Sequence, residues 1–254
     1  MRLLKRSRDH GGVTAIVCGR MGSGKTTFLL SKLVMPLLER RERLYWRGSE
    51  FCQWGYLPPD RVKLLLSPLY EYRWIDRKTG RQVELDDLVV DWTWFHVIED
   101  LLWQAEYGKL NVVYIDDLGF IEMLENLNLR PDIEWVSVFH DEIQKLAPSN
   151  VESDMWRRNK RLADALADTR KNYISFYCAC QDLADVDYRI LRKMMYKVYL
   201  QDARPPRGSL VWRHVPHRLA LGEAIIEGST FAKTKFQPLK KHLHLVVRIN
   251  ERLL

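Results

Sequence analysis

The sequence predicts an α/β fold in which helices cover both faces of a parallel β-sheet. Short apolar runs rich in β-branched residues alternate along the chain with segments of helical spacing. The first apolar run leads directly into a glycine-rich turn and then into a helix-like pattern. The length of 254 residues suits one core of about 200 residues that carries an insertion or a C-terminal extension.

The N-terminal part contains the first strand, the glycine-rich turn and a helix. Residues 13–18 are apolar and β-branched, and a helical pattern begins at Thr26 after the turn. Pro36 should kink or end this helix near Met35, because proline lacks an N–H donor. Residues 43–46 form the second strand candidate.

The pattern changes between about residues 51 and 91. Within this stretch, residues 72–75 and 82–85 flank Lys78-Thr79-Gly80, which predicts a β-hairpin. We interpret residues 51–91 as an insertion on the core, either a lid or a surface for a partner. Helical spacing then returns over about residues 97–105.

The second half of the core repeats the alternation of strands and helices, which implies a parallel sheet covered on both faces. Gly108 is placed to stop the preceding helix. The predicted strands are residues 112–115, 135–139, 173–179 and 197–200, and the predicted helices are about 155–170 and 186–195. The tail after Pro205 contains short β-like pieces, including residues 244–247. We therefore expect one domain, 1–254, with a core at about 11–202, the insertion at about 51–91 and a small C-terminal β extension at about 203–254.

Composition and charge limit the possible functions. The formal net charge of +7 fits a polyanionic partner such as nucleic acid, and it fits a solvated basic surface equally well. No apolar stretch approaches the about 20 residues that span a bilayer, and the basic residues 1–10 are not followed by the apolar region of a signal peptide. We therefore expect no membrane span and a cytoplasmic location. The cysteines (Cys18, Cys52, Cys178 and Cys180) include no Cys-x-x-Cys pair and fit packing thiols in a reducing compartment.

The glycine-rich turn is suited to hold the phosphates of a nucleotide. Gly19, Gly22 and Gly24 let backbone N–H groups face inward, and the following helix adds the partial positive charge of its N-terminus. Lys25 can reach the β- and γ-phosphates, and the Thr26 hydroxyl can ligate Mg²⁺. The complete motif predicts a P-loop nucleotide triphosphatase with ATP and Mg²⁺ as ligands. The predicted nucleotide-binding residues are Gly19, Arg20, Met21, Gly22, Ser23, Gly24, Lys25, Thr26 and Thr27.

A P-loop enzyme also needs an acid at a strand end to hold Mg²⁺ and a group to position the attacking water, and two acid pairs compete. Asp116 and Asp117 follow a wholly apolar strand, so the local pattern favours them. Asp141 and Glu142 follow a strand with polar interruptions, but the chemistry favours this pair. Asp141 could bind the metal while the longer Glu142 polarises a water as general base.

The chain after Asp141-Glu142 continues with a basic helix that ends at Arg170-Lys171 and a strand that ends at Gln181. This succession resembles the FtsK–HerA superfamily of DNA-translocating ATPases. The resemblance implies a RecA-like, additional-strand core in which Asp141 is the metal ligand and Glu142 the general base. It also implies that Gln181 senses the γ-phosphate. His140 departs from the apolar residue that the superfamily usually has before the Asp.

The same resemblance implies a ring, usually a hexamer, in which a neighbour's arginine completes the site. Arg170 matches the superfamily's helix end and is the first candidate, while Arg189 and Arg192 are weaker ones. Basic clusters that could contact DNA occur at residues 157–161, 204–218 and 233–244, with Trp156, Trp212 and Phe236 near them. The alternative for the first cluster is the solvent-facing side of a helix.

The leading functional hypothesis is an ATPase motor that moves double-stranded DNA. A small version without a large accessory domain resembles viral genome-packaging ATPases, for which a capsid or another protein would be a partner and the host cytoplasm the location, and plasmid-borne relatives. The alternative is a nucleotide-switched DNA-binding adaptor, such as an AAA+-type replication initiator or helicase loader, with Asp116 as the metal acid. A nucleoside kinase is disfavoured because no arginine-rich lid motif lies between the candidate acids.

Overall fold

A ten-stranded sheet and a three-stranded sheet organise the structure, a computed structural model that describes residues 2–6, 9, 11–130, 134–211 and 218–251. In chain order the strands are β1 (Thr14–Cys18), β2 (Arg43–Arg47), β3 (Val62–Leu66), β4 (Tyr70–Asp76), β5 (Gln82–Val83), β6 (Asp91–Trp94), β7 (Leu110–Tyr114), β8 (Val136–His140), β9 (Ile174–Cys180), β10 (Tyr196–Tyr199), β11 (Glu223–Glu227), β12 (Phe231–Lys235) and β13 (Leu245–Glu251). The large sheet has the order β12-β11-β10-β1-β9-β8-β2-β7-β3-β6, and the small sheet has the order β13-β4-β5. From β10 to β6 all neighbouring strands of the large sheet are parallel, whereas β11 and β12 are antiparallel additions at one edge.

Helices cover both faces of the large sheet, as the sequence predicts. They are α1 (Lys25–Phe28), α2 (Met35–Glu39), α3 (Ile98–Gln104), α4 (Asp117–Asn128), α5 (Ile143–Leu146), α6 (Ser153–Thr169) and α7 (Tyr188–Leu191). Short 3₁₀ helices occur at Arg2–Leu4, Gln53–Tyr56, Pro59–Arg61, Leu85–Asp87 and Leu183–Asp185. Along β1, Ile16 enters the cluster that contains Phe120 of α4, and Val17 enters the cluster that contains Phe28 of α1. Because successive side chains point to opposite faces, a strand buried on both sides must be apolar throughout, which explains the apolar runs.

The helix after the glycine-rich turn continues past Met35. A π-helical stretch (Leu29–Val34) joins α1 to α2, and Pro36 occupies the first turn of α2. The Met35 N–H donates to the carbonyl of Leu30, one residue further back than in an α-helix. The backbone hydrogen bonds therefore change from the π-helical to the α-helical pattern next to Pro36, and the helix does not end there.

Helix α4 is not among the helices that the sequence predicts. In the structure Asp116 is the N-cap of α4, and its carboxylate accepts a hydrogen bond from the Gly119 N–H at 2.7 Å. The apolar residues that follow are buried at helical spacing. Conversely, the helix expected over residues 186–195 is reduced to the single turn α7.

Residues 51–91 contribute to both sheets. The predicted hairpin is present as β4 and β5, but the unpredicted strand β3 pairs in parallel with β7 and β6 in the large sheet. The C-terminal extension is also divided, since β11 and β12 extend the large sheet while β13 pairs with β4. The two segments outside the predicted core therefore meet in the small sheet.

The C-terminal extension also contacts the glycine-rich turn through Phe236. This ring is 6% exposed and packs edge-on against Phe28 of α1, with a centroid separation of 5.4 Å. Its edge lies 3.0 Å from the position that a Cβ on Gly24 would occupy. The extension thus packs against the helix that follows the phosphate-binding turn.

Replacing Phe236 by Ala should lower the free energy of unfolding by about 3–5 kcal/mol, because it removes a buried ring and leaves a cavity beside α1. Urea unfolding followed by circular dichroism measures the change. Phe231→Ala is the matched control, since this ring on β12 is 40% exposed and its loss should cost less than about 1 kcal/mol. Equal destabilisation by the two changes would contradict the role assigned to Phe236.

Candidate active site

The phosphate-binding turn connects the end of β1 to the start of α1. Gly22 and Gly24 have φ values of 80° and 89°, a left-handed conformation that glycine adopts without strain. A Cβ on Gly19 would lie 2.4 Å from the Ser23 Oγ, so only glycine fits this close approach. The Ser23 hydroxyl is buried and has no hydrogen-bond partner among the described residues. The turn therefore offers free backbone donors and an unsatisfied hydroxyl at the N-terminus of a helix, which suits a phosphate group.

Lys25 folds back over this turn. Its Nζ donates to the carbonyl of Gly19 at 2.7 Å and to the carbonyl of Arg20 at 3.0 Å. Burial lowers the pKa of Lys25, an effect that the nearby Asp141 carboxylate opposes. The ammonium group is thus held at the centre of the turn by weak neutral acceptors, where phosphate oxygens would be stronger ones.

The strand order brings Asp141 to Thr26. Strand β9 separates β1 from β8, so the residues that follow β1 and β8 lie two strand spacings apart, about 10 Å. The Thr26 hydroxyl donates to the two carboxylate oxygens of Asp141 at 3.0 and 3.2 Å. A hydroxyl and a carboxylate are the hard oxygen donors that Mg²⁺ prefers, and Mg²⁺ usually completes its shell with water and phosphates. The two side chains therefore fit the predicted metal site.

Burial raises the pKa of Asp141 to about 6, with the neighbouring Glu142 carboxylate adding to the effect and the hydrogen bond from Thr26 opposing it. Only 8% of Asp141 is exposed. The fold therefore keeps an incompletely compensated carboxylate beside the phosphate-binding turn.

Glu142 lies next to Asp141 at the mouth of a cleft of about 340 Å³. Its carboxylate is partly exposed and accepts from the Lys145 ammonium at 2.5 Å. Tyr70 of β4 and Glu251 of β13 form the opposite wall of the cleft. Glu142 thus lies at a cleft that is open to water, as a group that activates water must, and Asp141 and Asp116 line the same cleft.

His140 and Arg47 lie next to the acid pair and contact each other. His140 is fully buried, and burial together with the Arg47 charge lowers its pKa well below the usual value, so the ring is neutral. Arg47 Nη1 lies 3.1 Å from His140 Nε2, and the Glu142 N–H lies 3.3 Å from His140 Nδ1. A neutral ring accepts at only one nitrogen, whereas the guanidinium and the backbone N–H can both only donate, so the ring accepts one of these two bonds at a time. This pairing explains how a polar residue is tolerated where an apolar one was expected.

The competing acids Asp116 and Asp117 have other partners. Asp116 caps α4, while Asp117 forms ion pairs with Arg47 at 2.7 Å and with Arg158 at 2.9 Å. Their strand β7 lies four places from β1, about 19 Å across the sheet. The structure therefore does not bring these acids to the phosphate-binding turn.

Gln181 follows β9 and lies beside the phosphate-binding turn. The Gly19 N–H donates to the carbonyl of Cys180 at 3.3 Å, which ties the end of β9 to the turn. Gln181 is exposed and shares a groove with Arg20 and Met21. Gln181 thus lies at the edge of the turn, and its contact with the γ-phosphate stays a prediction.

The candidate arginines lie away from the turn of their own chain. Arg170 lies at the amino ends of the parallel strands, whereas the phosphate-binding turn lies at their carboxyl ends. Its Nε donates to the carbonyl of Gly12, just before the start of β1, at 3.3 Å. Arg189 forms an ion pair with Asp187 at 2.6 Å, and Arg192 is exposed. Any action of Arg170 on a nucleotide would therefore need a second copy of the chain.

The three predicted basic clusters differ in how far their residues are available to a ligand. In the first cluster, Arg158 pairs with Asp117 and Arg161 pairs with Glu125 at 2.5 Å. Part of the second cluster, including Trp212, lies outside the described residues. In the third, Phe236 is buried and so is not available to a ligand.

Arg47 and Lys145 are components of the site that were not predicted. Arg47 is a charged residue at the carboxyl end of an apolar strand, and ligand sites of parallel sheets form at that edge, so its position was a usable signal. Lys145 follows Glu142 at the spacing of a helical ion pair. Among the described residues, no group of three or more His, Cys, Asp or Glu side chains could hold a metal, and no helix is long and apolar enough to cross a membrane.

Replacing Asp141 by Asn should stabilise the ligand-free protein by about 1–3 kcal/mol at pH 7. Folding raises the pKa of Asp141 from 3.8 to about 6, so the unfolded chain loses its proton first as the pH rises. The wild-type fold therefore loses stability between about pH 4 and pH 6 and does not regain it above. Asn keeps an acceptor for Thr26 without the charge.

Urea unfolding in EDTA at pH 4 and pH 7 tests this prediction, and the gain should appear only at pH 7. Asp168→Asn is the control, because Asp168 is exposed and its nearest ion pair, to Lys171, spans 3.7 Å. Destabilisation of the Asp141→Asn variant at pH 7 would show that the buried carboxylate is well compensated.

Comparison with known proteins supports the fold. Neither a model of a protein family nor a curated protein matches the chain. The genome-packaging NTPase B204 of Sulfolobus turreted icosahedral virus 2, solved with ATP-gammaS, superposes with a TM-score of 0.56 and 12% identity over 90% of this chain and 98% of that chain. The bacterial conjugative coupling protein TrwBdeltaN70 superposes with a TM-score of 0.60 and 13% identity over 95% and 92% of the two chains. The chain therefore shares its fold with this genome-packaging NTPase and this conjugative coupling protein.

Proposed function

We propose that the protein is an ATP-hydrolysing DNA translocase that works on double-stranded DNA as a ring, the hexamer implied by the resemblance in sequence. The observation that carries the proposal is the contact between Thr26 and Asp141, with Glu142 beside it at an open cleft. The similar structures are a viral genome-packaging NTPase and a conjugative coupling protein, and the first was solved with an ATP analogue. Viral genome packaging, with a capsid as partner, and plasmid DNA transfer are the two settings that these similarities suggest.

Each residue of the site has a defined task in this mechanism. Backbone N–H groups of the phosphate-binding turn and the Lys25 ammonium would hold the phosphates of ATP. Thr26 and Asp141 would hold Mg²⁺, which supplies positive charge to the phosphate oxygens when it is bound. Glu142 accepts a proton from a water in the cleft and so prepares that water to attack the γ-phosphate. Gln181 lies where its amide can contact the γ-phosphate or its product.

A ring supplies what the single chain lacks. Arg170 is remote from its own phosphate-binding turn, so it could act only on the nucleotide of a neighbouring copy. A cation that enters from a neighbour stabilises charge in the transition state and links hydrolysis to assembly. Arg192, which is exposed on another face, is the second candidate for this task.

The nucleotide-switched adaptor is the alternative, and it requires Asp116 as the metal acid. Asp116 already caps α4 and lies on a strand four places from β1. These contacts favour the motor. The two functions differ in their need for Glu142.

Replacing Glu142 by Gln should lower the rate of ATP hydrolysis by about 10²–10⁴-fold, because the amide cannot accept the proton of the attacking water. ATP affinity should change little, since the phosphate-binding turn is intact. Phosphate release measures turnover, and Glu122→Gln on the exposed side of α4 is the control. Near-normal turnover by the Glu142→Gln variant would reject the motor and favour the adaptor.

ATP turnover per chain should rise with protein concentration and with added duplex DNA. Assembly would bring a neighbour's arginine to each site, and DNA would occupy the ring. Turnover measured over a range of protein concentrations, with and without a duplex, tests both effects, and sedimentation reports the assembly state. Turnover that responds to neither would argue against a ring translocase.

A further inference from the structure

Two exposed aromatic rings lie together outside the nucleotide site. Trp156 of α6 is 49% exposed and Tyr188 of α7 is 65% exposed. Both rings line one groove with basic side chains, and a second groove lies on the other side of Trp156. We call this region the Trp156 surface, and it comprises Trp156, Arg157, Lys160, Tyr188, Arg189 and Arg192.

The Trp156 surface carries more positive than negative charge, although the exposed Asp164 also lines both of its grooves. Lys160 and Arg192 form no ion pair with any residue that the structure describes, and the only pair of Arg157 spans 3.9 Å in full solvent. By contrast, Arg158 and Arg161 in the same helix are paired with acids of α4. The structure thus divides the predicted basic cluster into a neutralised side and an open side.

Cations hold the ring of Trp156 in place. The Arg189 guanidinium lies 4.7 Å from the ring centroid, and the Lys160 ammonium lies 5.9 Å from it. Arg189 is fixed in turn by the buried Asp187, with Nη2 at 2.6 Å and Nε at 3.0 Å from its carboxylate oxygens. The surface is therefore a preorganised set of aromatic and cationic groups.

The surface is joined to the nucleotide site by the two loops that follow β8 and β9. The Asp187 N–H donates to the carbonyl of Ala147 at 3.0 Å, and the Ser149 N–H donates to the carbonyl of Asp185 at 3.0 Å. Asn159 of α6 donates to the Asp187 carboxylate from its buried side chain. The loop after Glu142 and the loop after Gln181 are thus bonded to each other directly beneath the Trp156 surface.

We propose that the Trp156 surface is where this chain contacts the phosphate backbone of duplex DNA. Unpaired cations beside exposed aromatic rings match a polyanion with apolar sugar edges, and protein–DNA contacts are made mainly to phosphate and sugar. The direct bonds to the loops after Glu142 and Gln181 give DNA at this surface a short connection to the hydrolytic groups. The inference rests on the proposed function, since it names the place where the motor holds its substrate.

The test compares two variants of the surface with two matched controls. Arg157→Glu/Lys160→Glu reverses two exposed charges of the surface, and Lys78→Glu/Arg81→Glu reverses two at the exposed turn between β4 and β5. Trp156→Ala removes the central ring, and Trp103→Ala removes a ring of α3 that is 84% exposed. Trp156→Phe keeps an aromatic face and should rescue. Melting temperatures and binding of ATPγS establish that each variant is folded.

Fluorescence anisotropy with a labelled duplex, in ATPγS and at several salt concentrations, measures the affinity. The double charge reversal should weaken binding strongly and lower the slope of log affinity against log salt by about two, because two phosphate contacts are lost. Trp156→Ala should weaken binding roughly threefold, because Arg189 and Lys160 lose their cation–π contacts with the ring. The two controls should bind as the wild type does.

Each other outcome overturns the proposal in a distinct way. A wild-type salt slope in the double variant would place the DNA elsewhere while leaving the proposed function intact. A wild-type protein that binds no duplex would reject the translocase itself. A larger loss on a labelled single strand than on the duplex would assign the surface to unpaired DNA. Unchanged DNA binding with a loss of assembly in sedimentation would make the surface an interface between copies.

Discussion

The position of β9 between β1 and β8 is the constraint on which the candidate active site depends. Because the three strands are parallel, they end at one edge of the sheet, and the segments that follow them converge there. The intervening strand leaves about 10 Å between the phosphate-binding turn and the acid pair. The side chains of Thr26 and Asp141 reach into this interval and meet in a hydrogen bond of 3.0 Å. Their contact defines where a metal and a phosphate tail fit.

The same arrangement leaves charged and polar groups of the site poorly compensated by the protein itself. Burial raises the pKa of Asp141 and lowers that of Lys25, which means that both charges are less well stabilised than in water. The Ser23 hydroxyl lacks a partner among the described residues, and Lys25 donates only to neutral carbonyls of the turn. These groups are complementary to a nucleotide and a divalent cation, so ligand binding would relieve the cost. Sites of this kind commonly sacrifice stability for function.

Segments far apart in the sequence support this site from two sides. On one face, Phe236 of the C-terminal extension packs against Phe28 and the phosphate-binding turn, while β13 and β4 wall the cleft at Glu142. On the other face, the loops that follow β8 and β9 are bonded to each other and carry the Trp156 surface. Contacts on both faces could therefore sense a change at the nucleotide.

The sequence by itself determined the elements that local chemistry defines. The glycines, Lys25 and Thr26 of the turn and the apolar strands next to them follow from composition and spacing, because backbone freedom and burial are properties of short segments. Only the tertiary structure placed Asp141 beside Thr26 and Asp116 four strands from β1, because strand order and the capping of α4 are long-range features. Likewise, the pairing of Arg158 and Arg161 with acids of α4, which leaves Lys160 open, depends on how two helices pack. Such long-range pairings have no local pattern from which they could be predicted.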